Sequence, residues 1–205
     1  PRVWSDGLLL RPLAPAVPLP DSVFLDALNE NRLYRVIAPL PGQSAAVVLY
    51  NLKHPSPAEP VQGKISLGDY KNAAALLNGN AAEAYASIPA EGIAAYSAEG
   101  GRALTPAQPD LDVKLTGFKD RLFIMAPIVR GWAVIGRGDK FLSPCALAAA
   151  PEYGADSLRF RVKESGPVVV CLGKSPVNAG NVPVKNLGNG FYELQFPVSD
   201  RPLDV

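Results

Sequence analysis

Acidic residues are the only abundant source of reactive side chains in this sequence, and a pair of carboxylates can catalyse glycoside hydrolysis. That reaction needs two carboxyl groups on opposite sides of the scissile bond, about 5 to 9.5 Å apart. Carboxylates in turns and on outward strand faces are normally solvated, so we predict no catalytic pair. Most of the 19 acidic residues belong to these two classes, in predicted turns (Asp6, Glu99, Asp110, Asp120, Asp139) or on outward faces (Asp112, Glu193).

Histidine and cysteine are too rare for the commonest nucleophilic and metal sites. His54 is the single histidine, in LKHPSPAEP, so a Ser-His-Asp triad or a three-histidine zinc site has too few ligands. Cys145 and Cys171 lie beside apolar residues, in PCALAAA and VVVCLG, and no CxxC occurs. We expect His54 to be solvated and the two thiols to be buried and free rather than bridged. No catalytic, cofactor-binding or metal-binding residue is predicted.

The segment GRGDK contains Arg137-Gly138-Asp139, the tripeptide that some adhesion receptors bind. A three-residue match recurs easily by chance. Gly131, Gly136 and Gly138 do not form a phosphate loop either, because neither a helix nor a lysine-serine pair follows them. A turn after the apolar run GWAVI explains both the glycines and the charges.

Exposed aromatic rings remain as candidates, because sugars stack on them. Trp132 lies in an apolar run, which favours core packing. Tyr70, Tyr85 and Tyr153 lie in loop or helical contexts, where we expect exposure, although their spacing forms no platform by itself. Tyr70, Tyr85, Tyr153 and Trp132 are therefore the candidate sugar-contacting residues. The wider set of candidate aromatic residues is Trp4, Trp132, Tyr70, Tyr85, Tyr96 and Tyr153.

Composition limits the elements that can position these residues. The chain has 205 residues, 48% of them hydrophobic and 19% charged, enough for one core or two small β-modules. A net charge of +1 gives no electrostatic case for nucleic acid or an anionic membrane, and no apolar run approaches the ~20 residues that span a bilayer. The 21 prolines and 18 glycines disfavour long helices.

The first thirty residues differ from the rest. PRVWSDGLLLRPL has no charged n-region and no cleavage signal, so we expect neither a signal peptide nor a natural start. Closely spaced prolines in RPLAPAVPLPDS disfavour both helix and central strand. We predict that residues 1–30 form an extended arm or linker from an upstream domain, with Asp21 capping one turn through SVFLDAL.

Residues 31–205 are expected to form an all-β, antiparallel sandwich, either one unit or two packed β-modules with a sub-boundary near 145–155. Ten or eleven short strands at regular spacing support this fold class. Among them are the hairpins YRVIA/AAVVLYNL and GIAAYS/RALT, the apolar run RLFIMAPI, and the alternating segments LDVKL and LRFRVK. Asn189-Gly190 suits a hairpin turn with positive φ.

One alanine-rich stretch, DYKNAAALLNGNAAEAYASI, has helical propensity. Asp69 is placed as its N-cap, and Asn78-Gly79 as its stop. The same apolar residues also fit a covering loop that contains one short helix.

Three stretches in order resemble the C-terminal region of the raffinose synthase and alkaline α-galactosidase-like group of glycoside hydrolases. Residues 5–26, SDGLLLRPLAPAVPLPDSVFLD, are similar to the family's passage from its catalytic barrel. RLFIMAPIVRGWAVIGRGDKFLSP, residues 121–144, is similar to a strand, glycine and D-K-Y-L-S-P-like run, with Phe141 at the tyrosine position. Residues 158–197 resemble the family's closing strands.

The resemblance implies a β-domain that accompanies a catalytic (β/α)₈ barrel. Family members use a carboxylate nucleophile in a Lys-x-Asp strand motif, and no lysine here is followed by aspartate two positions later. The expected function is therefore that of a non-catalytic accessory domain, with the barrel as its partner. The alternative is an independent carbohydrate-binding module that uses exposed aromatics. A self-standing hydrolase is disfavoured.

Overall fold

The structure is a computed structural model that describes residues 7, 11–56, 58–140, 147–173 and 178–197. Trp4, Asp6, Cys145 and the FLSP run lie outside these residues. Eleven described strands have five residues or more, as the sequence predicts, and three have two. The strands are β1 Val17–Pro18, β2 Tyr34–Leu40, β3 Ser44–Tyr50, β4 Val61–Ser66, β5 Ile93–Ser97, β6 Gly100–Leu104, β7 Asp110–Leu115, β8 Asp120–Pro127, β9 Trp132–Arg137, β10 Glu152–Tyr153, β11 Leu158–Arg159, β12 Gly166–Leu172, β13 Val184–Gly188 and β14 Phe191–Phe196.

Two antiparallel sheets form the body of this all-β, sandwich-like fold. The larger has six strands in the order β1-β2-β3-β8-β5-β6, and the smaller has four in the order β13-β14-β12-β9. β9 precedes residues 145–155 and β12 follows them, so the smaller sheet draws strands from both sides of that region. Two-stranded sheets β4-β7 and β10-β11 complete the described strands.

Both large sheets are covered on two faces, which explains their nearly continuous apolar runs. One face of the six-stranded sheet packs under β4, β7 and the alanine-rich stretch. Its other face packs on the four-stranded sheet through Ala94, Ile124, Ile135, Val169 and Phe191. The outer face of the four-stranded sheet is covered by the segment that carries Phe160 and Val162.

The predicted hairpins are confirmed. β2 and β3 pair from Tyr34↔Tyr50 to Leu40↔Ser44, and β5 pairs with β6. In the β13–β14 hairpin, Asn189 and Gly190 have φ of 53° and 81°, the positive values that its tight turn requires.

The alanine-rich stretch is a covering loop rather than one helix. It contains a 3₁₀ helix, Leu67–Ala74, and one short α-helix, α1, Asn80–Glu83, separated at Gly79 with φ of 56°. The placement of Asp69 as N-cap was wrong. Ser66 is the N-cap, and Asp69 is the third helical residue, whose carboxylate accepts a hydrogen bond from the Ser66 backbone N–H at 2.8 Å.

The proline-rich arm runs along the edge of β2, where β1 pairs with it, and ends in a 3₁₀ turn, Pro20–Ser22. Leu19 is fully buried in the core. Asp21 lies within this turn, whose N-cap is Leu19, rather than capping a turn through residues 22–28, and its carboxylate binds the Arg35 guanidinium at 2.7 Å. The arm is thereby attached to the sheet by pairing, by apolar burial and by an ion pair.

The segment LRFRVK alternates as predicted, with Phe160 and Val162 buried and Arg159 and Arg161 exposed, but the regular strand ends at Arg159. Its partner β10 is only two residues long, and beyond it a single bridge joins Leu147 to Val162. Among the described residues, the structure contains no helix long and apolar enough to cross a membrane.

Candidate functional site

Tyr70 and Tyr85 are buried, which corrects the expectation that their rings are exposed. Their side chains insert beneath the β2–β3 turn, with ring centroids 5.1 Å apart, and are 0% and 1% exposed. The single proton of the Tyr85 hydroxyl is shared between the carbonyl oxygens of Leu40 and Ser44, which lie 2.8 and 2.7 Å from the hydroxyl oxygen. Both side chains are enclosed by the protein's own core, so neither ring face is accessible to a sugar.

Trp132 and Tyr153 are half-buried. Trp132 begins β9 and packs against the outer apolar cluster of the four-stranded sheet, as its apolar context predicts. Tyr153 lies on β10 and lines a groove of about 490 Å³. Of the four predicted sugar-contacting residues, Tyr153 alone lines this groove.

The groove lies at one end of the six-stranded sheet, and its wall is mostly apolar. Its volume is within the range of small-ligand sites. Gln43 and Tyr153 are the lining residues whose side chains can form hydrogen bonds, and no described lining residue is charged. The lining residues are Pro41, Gly42, Gln43, Pro127, Val129, Val134, Leu147, Ala149, Ala150, Pro151 and Tyr153.

Two tight turns fix the groove's rim. In the β2–β3 turn, Gly42 and Gln43 have φ of 72° and 58°. In the β8–β9 turn, the Glu91 carboxylate accepts from the backbone N–H groups of Arg130 and Gly131, at 2.7 and 2.5 Å. The Arg130 guanidinium then donates to the Tyr153 carbonyl at 2.9 Å, which ties β10 to this turn.

The electrostatic environment of the groove favours an uncharged ligand. Burial raises the pKa of Tyr153 above its ordinary value, so its hydroxyl stays neutral and can both donate and accept a hydrogen bond. Gln43 is exposed at the rim and adds a neutral amide.

The carboxylates of Asp21, Asp69 and Asp110 form ion pairs with basic side chains and do not face one another across a cleft. Arg35 donates to Asp69 and Asp21, both at 2.7 Å. Burial raises the pKa of Asp69, although the positive charge of Arg35 opposes that shift. Hydrogen bonds from Lys64 and Ser66 lower the pKa of Asp110. These groups link the arm, β2, β4 and β7.

The Arg137-Gly138-Asp139 tripeptide forms the predicted turn at the end of β9. Arg137 is 5% exposed in its side chain and binds Asp139 through two 2.7 Å hydrogen bonds. Its remaining nitrogen donates to Glu164 at 2.7 Å. The Arg137 guanidinium is therefore already paired with carboxylates of the chain itself, which leaves it unavailable to an adhesion receptor.

Cys171 is a free, buried thiol, as predicted, and burial raises its pKa to about 12, which suppresses the nucleophilic thiolate. His54 is exposed in its loop, also as predicted. Within the described ranges, no group of three histidine, cysteine or acidic residues is arranged to hold a metal ion.

A second feature lies at the opposite end of strands β2, β3 and β8 and was missed by the sequence reasoning. Four exposed apolar side chains lie on the two loops, 23–28 and 116–119, that each contact the segment after β3; we call Val23, Phe24, Leu28 and Phe118 the loop-end surface. Phe24 is 95% exposed and Phe118 is 76% exposed. The available signal was a phenylalanine in each of two turn-like contexts, SVFLD and TGFKD.

The loops that carry this surface contact one another through the segment after β3. The His54 N–H donates to the Leu28 carbonyl at 2.9 Å, and the Asn51 N–H donates to the Lys119 carbonyl at 2.8 Å. Buried Asn51 also donates to the Leu115 carbonyl at 3.1 Å. These hydrogen bonds therefore hold in place the loops that carry the loop-end surface.

In comparisons with known proteins, no protein-family model matches this chain, and no curated protein matches it.

Proposed function

We propose that this chain is a non-catalytic accessory domain of a glycoside hydrolase-like protein, of the α-galactosidase and raffinose synthase-like group. Its proposed role is to pack against the catalytic barrel and thereby stabilise the barrel. The loop-end surface carries this proposal, because two phenylalanines that are 95% and 76% exposed, on hydrogen-bonded loops, are typical of a surface that a partner covers. The resemblance of three ordered segments suggests the kind of partner.

The possible gain from covering this surface is substantial. Fully burying a phenylalanine, leucine or valine side chain stabilises by about 1.5–3 kcal/mol. Phe24 and Phe118 have most of that gain still available, and Val23 and Leu28 have about half of it, at 54% and 57% exposed. A partner in the same polypeptide binds at high effective concentration, so a small apolar contact is sufficient.

The test of this contact uses the full-length protein that contains the chain. We expect Phe24→Ser combined with Phe118→Ser to lower the temperature at which galactosidase activity is lost. The matched control is Leu76→Ser, which alters a leucine that is 52% exposed but lies on the connection before α1. The isolated chain should keep its unfolding free energy within about 0.5 kcal/mol in both variants.

An equal loss in the control, or no loss in the double variant, would contradict the proposed contact. The non-catalytic role is tested separately with aryl α-galactosides, on which we expect the isolated chain to show no turnover. Turnover that disappears when one carboxylate is replaced would refute that role.

A second candidate function is carbohydrate binding, which the position of Tyr153 in the 490 Å³ groove favours. Titration with galacto-oligosaccharides should then give a saturable change in intrinsic fluorescence that Tyr153→Ala abolishes. Tyr34→Ala is the control, because Tyr34 is half-buried at the opposite end of the sheet. A flat titration of the unaltered chain would rule this candidate out.

A further inference from the structure

The chain contains two Asn-Gly pairs, Asn78-Gly79 and Asn189-Gly190, and they lie in different structural environments. An asparagine followed by glycine can modify itself, because glycine has no Cβ to hinder attack by its backbone nitrogen. The nitrogen attacks Cγ of the asparagine amide and loses its proton, and the Cγ–Nδ2 bond breaks to release ammonia. Water then opens the cyclic imide at either carbonyl, leaving aspartate or isoaspartate.

The Asn78 side chain and the attacking Gly79 nitrogen are not held by a described hydrogen bond, although the Gly79 carbonyl, at the N-cap of α1, accepts from the N–H groups of Ala82 and Glu83 at 2.9 and 3.1 Å. Both residues are exposed, on the connection between the 3₁₀ helix and α1. A Cβ added at Gly79 would meet nothing within 4 Å, so the backbone there has open space around it. Within the described part of the chain, the Asn78 side chain makes no hydrogen bond that would hold its amide away from the Gly79 nitrogen.

Asn189-Gly190 is restrained in the β13–β14 turn. The Asn189 side-chain amide donates to the Gly101 carbonyl at 3.1 Å, which fixes its position. The Gly190 carbonyl accepts from the Leu172 N–H at 2.9 Å, and a Cβ at Gly190 would lie 2.9 Å from the Leu172 oxygen. Strand pairing on both sides, with Gly188 opposite Phe191, closes the turn.

We propose that Asn78 is a site of spontaneous deamidation, and that Asn189, with the same glycine neighbour, is protected by the fold. The modification has a defined electrostatic consequence. It replaces a neutral amide with a carboxylate, so the formal net charge of the chain falls from +1 to 0. Proteins without net charge associate more readily, and the new charge appears on an exposed loop.

The experiment ages the folded chain in mildly alkaline buffer and follows both sites by mass spectrometry after trypsin digestion. Cleavage after Lys71 and Arg102 places Asn78 in the peptide 72–102, and cleavage after Lys185 places Asn189 in the peptide 186–205. We expect the mass increase of amide-to-acid conversion to build up several-fold faster at residue 78. In urea, where the fold no longer protects Asn189, the two rates should converge.

Asn78→Gln is the matched variant, because the longer side chain forms the cyclic imide far less readily. We expect this variant to lose the more acidic species that the aged chain shows on ion exchange. Equal rates at the two sites in the folded chain would overturn the proposal. No conversion at residue 78, or an acidic species that persists in Asn78→Gln, would overturn it as well.

Discussion

Replacing Tyr85 with phenylalanine should destabilise the fold, because the Tyr85 hydroxyl holds the β2–β3 turn from below. The hydroxyl's single proton is shared between the carbonyl oxygens of Leu40 and Ser44, 2.8 and 2.7 Å away, in a site where the side chain is 1% exposed. Tyr85→Phe removes this donor without removing the ring, so the apolar packing against Tyr70 remains.

The expected cost follows from the groups that lose their partner. A buried hydrogen bond contributes about 0.5–1.5 kcal/mol net, and a buried acceptor left unpaired costs about 1–3 kcal/mol. Each carbonyl has two lone pairs, and neighbouring groups of the hairpin can satisfy one of them. We therefore expect Tyr85→Phe to lower the free energy of unfolding by about 1–3 kcal/mol.

The assay is equilibrium unfolding in urea followed by fluorescence and circular dichroism, with two companion variants. Tyr70→Phe should cost less than Tyr85→Phe, because its hydroxyl has one short partner, the Gln43 carbonyl at 2.7 Å. Tyr153→Phe should stay within about 0.5 kcal/mol of the unaltered chain, since Tyr153 lines the groove. A cost below about 0.5 kcal/mol for Tyr85→Phe, or an equal cost for Tyr153→Phe, would refute the reasoning.

Three further predictions concern charge, ionisation and close packing. Arg35→Met leaves the Asp69 carboxylate buried without its 2.7 Å partner, so urea unfolding should show a loss of about 3–5 kcal/mol; a loss below 1 kcal/mol would contradict this pairing. Burial raises the pKa of Tyr70 from 10.0 to about 12, so the folded chain keeps a proton that the unfolded chain releases. That contribution to stability is complete below pH 10 and is lost as the pH rises towards about 12, so the melting temperature should fall across this range in thermal melts, and a constant melting temperature would contradict the prediction. Gly101→Ala would place a Cβ 2.7 Å from the Phe191 ring and should cost about 1–3 kcal/mol in the same urea assay, whereas no change would show that the contact is easily relaxed.

Local patterns predicted the elements whose residues interact with near neighbours in sequence. The Asn189-Gly190 turn was predictable because glycine and asparagine favour the positive φ that a two-residue hairpin needs. The run in β8 was predictable as a buried strand because a sheet covered on both faces needs apolar residues at successive positions.

Tertiary context decided the positions where prediction failed. Tyr70 and Tyr85 lie in a loop-like stretch, but that stretch covers a sheet face and places both rings in the core. Phe24 and Phe118 show the reverse case, since apolar residue type alone does not say which loop remains uncovered. Asp21 and Asp69 follow cap-like patterns, but neither is an N-cap; Asp69 instead accepts from the Ser66 backbone N–H as the third residue of the helix, and both carboxylates bind buried Arg35 of β2.

The most direct test of the central claim compares hydrogen exchange in the isolated chain and in the full-length protein that contains it. If the loop-end surface packs against a catalytic domain, amides in residues 23–28 and 116–119 should exchange more slowly in the full-length protein. Amides in residues 75–79, beside exposed Leu76, should exchange at the same rate in both. Equal exchange at the loop-end surface in the two proteins would contradict the account.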